Sequence, residues 1–189
     1  MSNAGGIVLC GGKSTRMGTS KALLPFGSET MVQRVVRILS DVVRPIVAVA
    51  AVDQELPELP AEVIVARDAN EGRGPLEGLR AGLKALPAGV DTAYVTSCDV
   101  PLLVPGFVSQ MLELANGYDI AVVEIAGFAH PLSAVYRRST LACVEDLLAN
   151  DRLRPVFLFD AMKTRRVRPD EITVDADLRT LRNLNTRED

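Results

Sequence analysis

The chain has no tryptophan, one histidine and three cysteines, and aromatic residues make up 4% of its 189 residues. A single histidine, His130, leaves hydrolytic nucleophile schemes without a convincing partner for the base. Cys10, Cys98 and Cys143 cannot all pair within one chain, and no C-x-x-C spacing offers a zinc site. That usage fits a reducing, cytoplasmic compartment. A basic excess is missing too: 21 lysines and arginines face 24 acids, for a formal net charge of −3. Binding to a nucleic-acid polymer is therefore not expected, because neutralising many phosphates takes a surplus of positive charge. Scattered charges also leave no long apolar run, so no membrane span or secretion leader is expected.

What is present is a core-forming composition, 48% hydrophobic against 24% charged, which suits a single domain over residues 1–189. Apolar residues come in short β-branched runs separated by amphipathic stretches. Strands are predicted over 7–10, 46–52, 63–66, 92–97, 120–125 and 132–136, with a weak one near 166–168. Residues 22–39 read as loop into helix, and further helices are predicted over 76–86, 104–115, 141–148 and 156–162. Such alternation predicts an α/β fold, Rossmann-like, with a mostly parallel sheet and helices on both faces. Ligands in open α/β sheets sit beyond the carboxyl ends of the strands, so the residues just after strands carry the functional information.

Directly after the first predicted strand comes Gly11-Gly12-Lys13-Ser14-Thr15-Arg16-Met17-Gly18-Thr19-Ser20-Lys21. A glycine pair there lets backbone N–H groups approach an anion closely. Arg16 adds a planar fork and Lys21 a point charge, a combination suited to a polyphosphate. The Walker A pattern fails, because Gly12-Lys13-Ser14 would need a glycine at Ile7, inside the strand. No G-x-G-x-x-G follows the strand either, so the dinucleotide fingerprint is absent. Asp99, after the fourth strand, is placed to hold a hard cation that bridges phosphate oxygens, although Asp-x-Pro is also ordinary turn chemistry.

Five pieces occur in order: Leu9-x-Gly11-Gly12-x-Ser14-x-Arg16-Met17-Gly18-x-x-Lys21, Gly74-Pro75-Leu76-Glu77-Gly78-Leu79, Cys98-Asp99-x-Pro101, His130-Pro131-Leu132 and Asn183-Leu184-Asn185-Thr186. In that order and at those separations they resemble the MobA-type molybdenum cofactor guanylyltransferases over essentially the whole chain. The resemblance implies a nucleotide-diphospho-sugar transferase type of fold, with a nucleotide half at about 5–101 and an acceptor half at about 102–189. It implies transfer of GMP from GTP to the phosphate of molybdopterin, with or without bound molybdenum, pyrophosphate as the leaving group and Mg2+ as the metal.

Carried onto this chain, the resemblance puts nucleotide on Leu9, Gly11 and Gly12, with Arg16 and Lys21 on the phosphates and Mg2+ on Asp99. Asp68 would contact guanine, and Gly74, Pro75 and Gly78 belong to the nucleotide-binding set. Arg154, Asn183 and Asn185 fall where the pterin is expected. A transient contact with molybdoenzymes or their chaperones would follow the reaction. Two positions depart from the family pattern: Cys10 stands where alanine is usual, and the second strand ends Val49-Ala50-Ala51 where some members carry asparagines.

Alternatives stay open at this level. A cytidylyltransferase of the same cofactor, a sugar-phosphate nucleotidyltransferase and a non-catalytic GTP-binding module share much of the pattern. His130 reads first as a packing residue, the basic run Lys163, Arg165, Arg166 and Arg168 as a solvated face, and Cys10 and Cys98 as buried structural thiols.

Overall fold

A computed structural model describes residues 3–11, 20–68, 70 and 72–184. Its centre is a seven-stranded sheet in the order β5-β4-β1-β6-β8-β7-β9. The strands are β1 (Ala4–Leu9), β4 (Ile46–Ala51), β5 (Ile64–Asp68), β6 (Thr92–Ser97), β7 (Ile120–Ile125), β8 (Phe128–Arg137) and β9 (Thr164–Val167). A two-residue pair, β2 (Pro25–Phe26) and β3 (Glu29–Thr30), forms a separate small hairpin. Within the main sheet only β8 runs antiparallel to its neighbours, β6 and β7.

Helices α1 (Met31–Ser40) and α3 (Pro105–Leu114) cover one face, where Val35, Leu39, Phe107 and Met111 meet Val8, Ala48 and Tyr94. Helices α2 (Pro75–Ala85), α4 (Leu141–Ala149) and α5 (Val156–Ala161) cover the other, where Leu79, Leu83, Val144 and Leu158 meet Ile7, Val49 and Val95. Strand β1 serves both layers because its side chains alternate between them.

Strand β1 starts three residues before its predicted bound, and the small hairpin falls within the stretch predicted as loop into helix. Gly5 and Gly6 belong to β1 although glycine weakens a strand. A Cβ on Gly6 would lie 2.6 Å from Leu39 Cδ2, so its absence is what lets α1 approach the sheet. The hairpin precedes α1, whose true start is set at Thr30 by a capping box with Gln33. Strand β8 begins four residues earlier than its apolar pattern suggests, after a two-residue turn with positive φ at Ala126 and Gly127. Pro131 is tolerated within it because it falls in the irregular stretch between the pairs Val122↔Ala134 and Glu124↔Ala129.

From β1 the chain moves outward to β4 and β5, then returns to the opposite side of β1 to lay down β6. The order therefore reverses beside β1, and the crevice at the carboxyl ends of β1 and β6 is the topological switch point.

Candidate active site

The parallel registers line up the carboxyl ends of four strands. Leu9 pairs with Val49 and with Ser97, and Ala51 pairs with Asp68. Carried two residues further, this sets Gly11 abreast of Ala51 on one side and of Asp99 on the other. A Cβ on Gly11 would meet Ala51 N at 3.9 Å, consistent with that row. Asp68, Ala51, Gly11 and Asp99 thus form one edge. Three strand intervals separate the backbone positions of its two aspartates, about 14 Å.

Asp99 is 8% exposed and sits at the switch point. Its Oδ1 accepts a short hydrogen bond from Ser97 Oγ, and its Oδ2 lies 2.8 Å from Lys21 Nζ. Its carbonyl accepts Leu184 N–H at 2.9 Å, which brings the end of the described chain, with exposed Asn183, to the same place. Lys21 opens a short 3-10 turn, Lys21–Leu23, so the chain leaving the glycine-rich segment is fixed where it meets Asp99. Gly12, Arg16 and Asn185 lie outside the described residues.

The two ends of the glycine-rich segment are tied together by a side chain that sequence reading missed. Gln54 Nε2 donates to Cys10 O and to Ser20 Oγ, both at 2.8 Å, while its Oε1 accepts Ala51 N–H at 3.2 Å. Arg67 Nη1 in turn donates to Ala51 O and Gln54 O. Gln54 lies in a loop without periodicity, so nothing in the sequence signals its role. Ser97 had a signal, because residues i and i+2 of an extended segment share a face and Ser97 precedes Asp99 by two.

The far end of the row is built on α2. Gly74 takes the N-cap position with φ +76°, a conformation that favours glycine, and Pro75 opens the helix. Gly78 and Gly82 face β1: a Cβ on Gly78 would lie 3.2 Å from Leu9 side-chain atoms, and one on Gly82 2.5 Å from Ile7 Cγ2. Their role in this structure is close packing of helix on strand, which fixes Leu9 beneath the site. Asp68 Oδ1 accepts Asn70 N–H at 2.9 Å.

Arg154 is exposed, just before α5, and the neighbouring Leu153 O lies 3.9 Å from where a Gly74 Cβ would be. Arg154 therefore flanks the N-terminus of α2, while Asn183 flanks Asp99. Pro131 and Leu132 line a small crevice with Pro75, Leu76 and Pro155, so the His-Pro-Leu segment braces these same elements. Burial pushes the pKa of His130, which is half-buried, below its ordinary value.

Contact with the Cys98 thiol, then burial, push the Cys10 thiol well up, so Cys10 is neutral packing beside the site. The basic run is a paired surface: Arg165 contacts Glu171, Arg166 lies 3.1 Å from Asp160, and Arg168 Nε lies 3.0 Å from Asp170.

Residues 6–165 match the family described as the MobA-like NTP transferase domain. The chain belongs to that family. A probable molybdenum cofactor guanylyltransferase of Pelotomaculum thermopropionicum is 31% identical over 190 residues, covering 100% of this chain and 91% of that one. Another, of Mycobacterium avium, is 36% identical over 188 residues, covering 97% and 91%. Molybdopterin-guanine dinucleotide biosynthesis protein A of Archaeoglobus fulgidus shares the fold, with a TM-score of 0.78 at 19% identity over 97% of this chain and 93% of that one. A MobA-like domain is a nucleotidyltransferase fold.

Proposed function

We propose that this protein transfers GMP from GTP to the phosphate of molybdopterin and releases pyrophosphate, in molybdenum cofactor biosynthesis. The observation that carries the proposal is the pair Lys21–Asp99 at the switch point, joined to a glycine-bearing strand end and aligned with Asp68 at the far side. Both relatives carry the name probable molybdenum cofactor guanylyltransferase, which supports this reading.

GTP lies along the row, with guanine towards Asp68 and the phosphates at Gly11 and Lys21. Gly12 and Arg16 complete the phosphate contacts, Gly74 and Pro75 shape the wall on the guanine side, and Gly78 packs α2 onto Leu9 behind it. Leu9 supplies backbone at the floor. The pterin approaches from Arg154, Asn183 and Asn185, on the acceptor half at about 102–189, to meet a nucleotide held on residues 5–101.

Asp99 fits a hard divalent cation. It is a nearly buried carboxylate at the phosphate end of the row, oriented by Ser97 Oγ on one oxygen. That donor set suits Mg2+, which takes one or two carboxylates and completes its shell with phosphates and water. When bound, Mg2+ supplies charge neutralisation on the phosphates.

An oxygen of the pterin phosphate attacks the α-phosphorus of GTP, and the bond from α-phosphorus to the bridging oxygen of the β-phosphate breaks. The attacking group is already an anion, so no general base is required. Lys21 and Arg16 offset charge as pyrophosphate departs, and the rigid row holds the two phosphates in line. Ser97 keeps the Asp99 carboxylate oriented. No described helix is long and apolar enough to cross a membrane, and three free thiols suit a cytoplasmic setting. Product then passes in a transient contact to molybdoenzymes or their chaperones.

Pyrophosphate release with purified molybdopterin, compared between GTP and CTP, tests the proposal. Faster turnover with GTP supports it; equal or faster turnover with CTP identifies a cytidylyltransferase instead.

A further inference from the structure

Glu77 is a carboxylate with 1% of its surface exposed, inside the first turn of α2. Burying a charge is unfavourable unless it is paired and hydrogen-bonded, and packing alone would be served by an apolar residue. Glu77 is paired from two directions. Arg80 Nε donates to Oε1 at 2.8 Å, from one turn along the helix, and Arg80 Nη2 makes a second, short contact. Asn70 Nδ2 donates to the same oxygen at 3.0 Å, from the segment that follows β5.

Asn70 is the link that matters. Its backbone N–H donates to Asp68 Oδ1 while its side chain is held by Glu77. A carboxylate with one oxygen pinned has its plane set, and so has the direction in which Oδ2 accepts. Three residues in series, Glu77, Asn70 and Asp68, thus connect the interior of α2 to the end of β5.

Taking Asp68 as the guanine-contacting residue, we infer that Glu77 and Asn70 are positioning residues for base selectivity: Glu77 fixes Asn70, and Asn70 fixes the Asp68 carboxylate against the purine edge. Guanine presents a ring N–H and an exocyclic amine side by side, and a fixed carboxylate can accept from both. Hypoxanthine lacks that amine, so the ratio of GTP to ITP affinity reads the carboxylate's placement directly.

The test measures Kd for GTP and ITP by calorimetry in the full-length protein, for wild type and for Asp68→Ala, Asn70→Ala, Glu77→Gln and the double variant Asn70→Ala/Glu77→Gln. Asn70 is exposed, so its truncation leaves the core intact. Expected are loss of GTP-over-ITP preference in Asp68→Ala and a roughly tenfold weaker GTP affinity with reduced preference in Asn70→Ala. Glu77→Gln replaces the charged acceptor by a weaker neutral one and should reduce the preference part-way, and the double variant should be no worse than Asn70→Ala alone; a wild-type preference in Glu77→Gln would remove Glu77 from the series. If Asp68→Ala loses the preference while Asn70→Ala keeps it, the positioning role is wrong and Asp68 stands. If Asp68→Ala keeps the preference, the placement of guanine at Asp68 is wrong and the inference falls with it.

Discussion

Lys21 Nζ lies 2.8 Å from Asp99 Oδ2, so a cation and a carboxylate separated by 78 residues meet at the point where the strand order reverses. Their proximity is a consequence of topology. Lys21 follows β1 and Asp99 follows β6, and those strands are neighbours in parallel register.

Both side chains should therefore act on the same phosphates. Asp99→Asn and Lys21→Ala are each expected to lower turnover about a hundredfold, the scale of removing one fixed charge-stabilising group. Asp99→Asn should also shift the Mg2+ dependence to higher concentration, whereas Lys21→Ala should not. Pyrophosphate release across a Mg2+ titration checks both; an unchanged Mg2+ curve in Asp99→Asn would remove Asp99 from the metal site.

Gln54 joins the ends of the glycine-rich segment through two hydrogen bonds and is itself held by a third, from Ala51 N–H. Gln54→Ala should weaken GTP binding by roughly tenfold, as the loop ends separate. Gln54→Glu should behave similarly, because it loses both donated bonds and sets an anion near phosphates. Binding that stays at the wild-type level in both variants would show that the clamp is dispensable.

Acid sensitivity should trace in part to Glu77. Burial by itself would raise its pKa, but donation from Asn70 and Arg80, with the charges of Arg80 and Arg73, outweighs burial and holds it below the ordinary 4.5. The unfolded chain then takes up the proton more readily than the folded one. The stabilisation is present above pH 4.5 and is lost as pH falls through the lower folded value. Urea midpoints measured from about pH 6 to 3 should fall less steeply in Glu77→Gln than in wild type.

Helix α2 should resist any side chain at its contact with β1. Gly82→Ala gains helix propensity of up to about 1 kcal/mol, yet its Cβ would overlap Ile7 in the buried central strand. Overpacking of that kind costs about 1–3 kcal/mol, so a net loss of stability is expected in thermal melts. A rise in Tm would mean that α2 and β1 separate without penalty.

Much of this was legible in the residues. Strands β6 and β7 appear at their observed bounds because β-branched and apolar runs in a sheet interior announce themselves. Asp99 was legible as a residue just beyond a strand, and Lys21 as the cation that closes the glycine-rich segment. Their meeting was not, because register and strand order are tertiary facts. Glu77 sat in plain view within Gly-Pro-Leu-Glu-Gly, but a charged residue in a helix reads as exposed until its partners are placed. Gln54 was invisible, since a loop glutamine carries no periodicity, and the first residues of β8 carry no clean alternation because they include Pro131.

The most direct measurement follows the two ends of GTP separately in the presence of molybdopterin and Mg2+. Label on the α-phosphate should appear in a guanine dinucleotide of the pterin, and label on the γ-phosphate in pyrophosphate, with CTP a poor substitute. Label on the γ-phosphate released as inorganic phosphate, or a dinucleotide formed preferentially from CTP, would contradict guanylyl transfer.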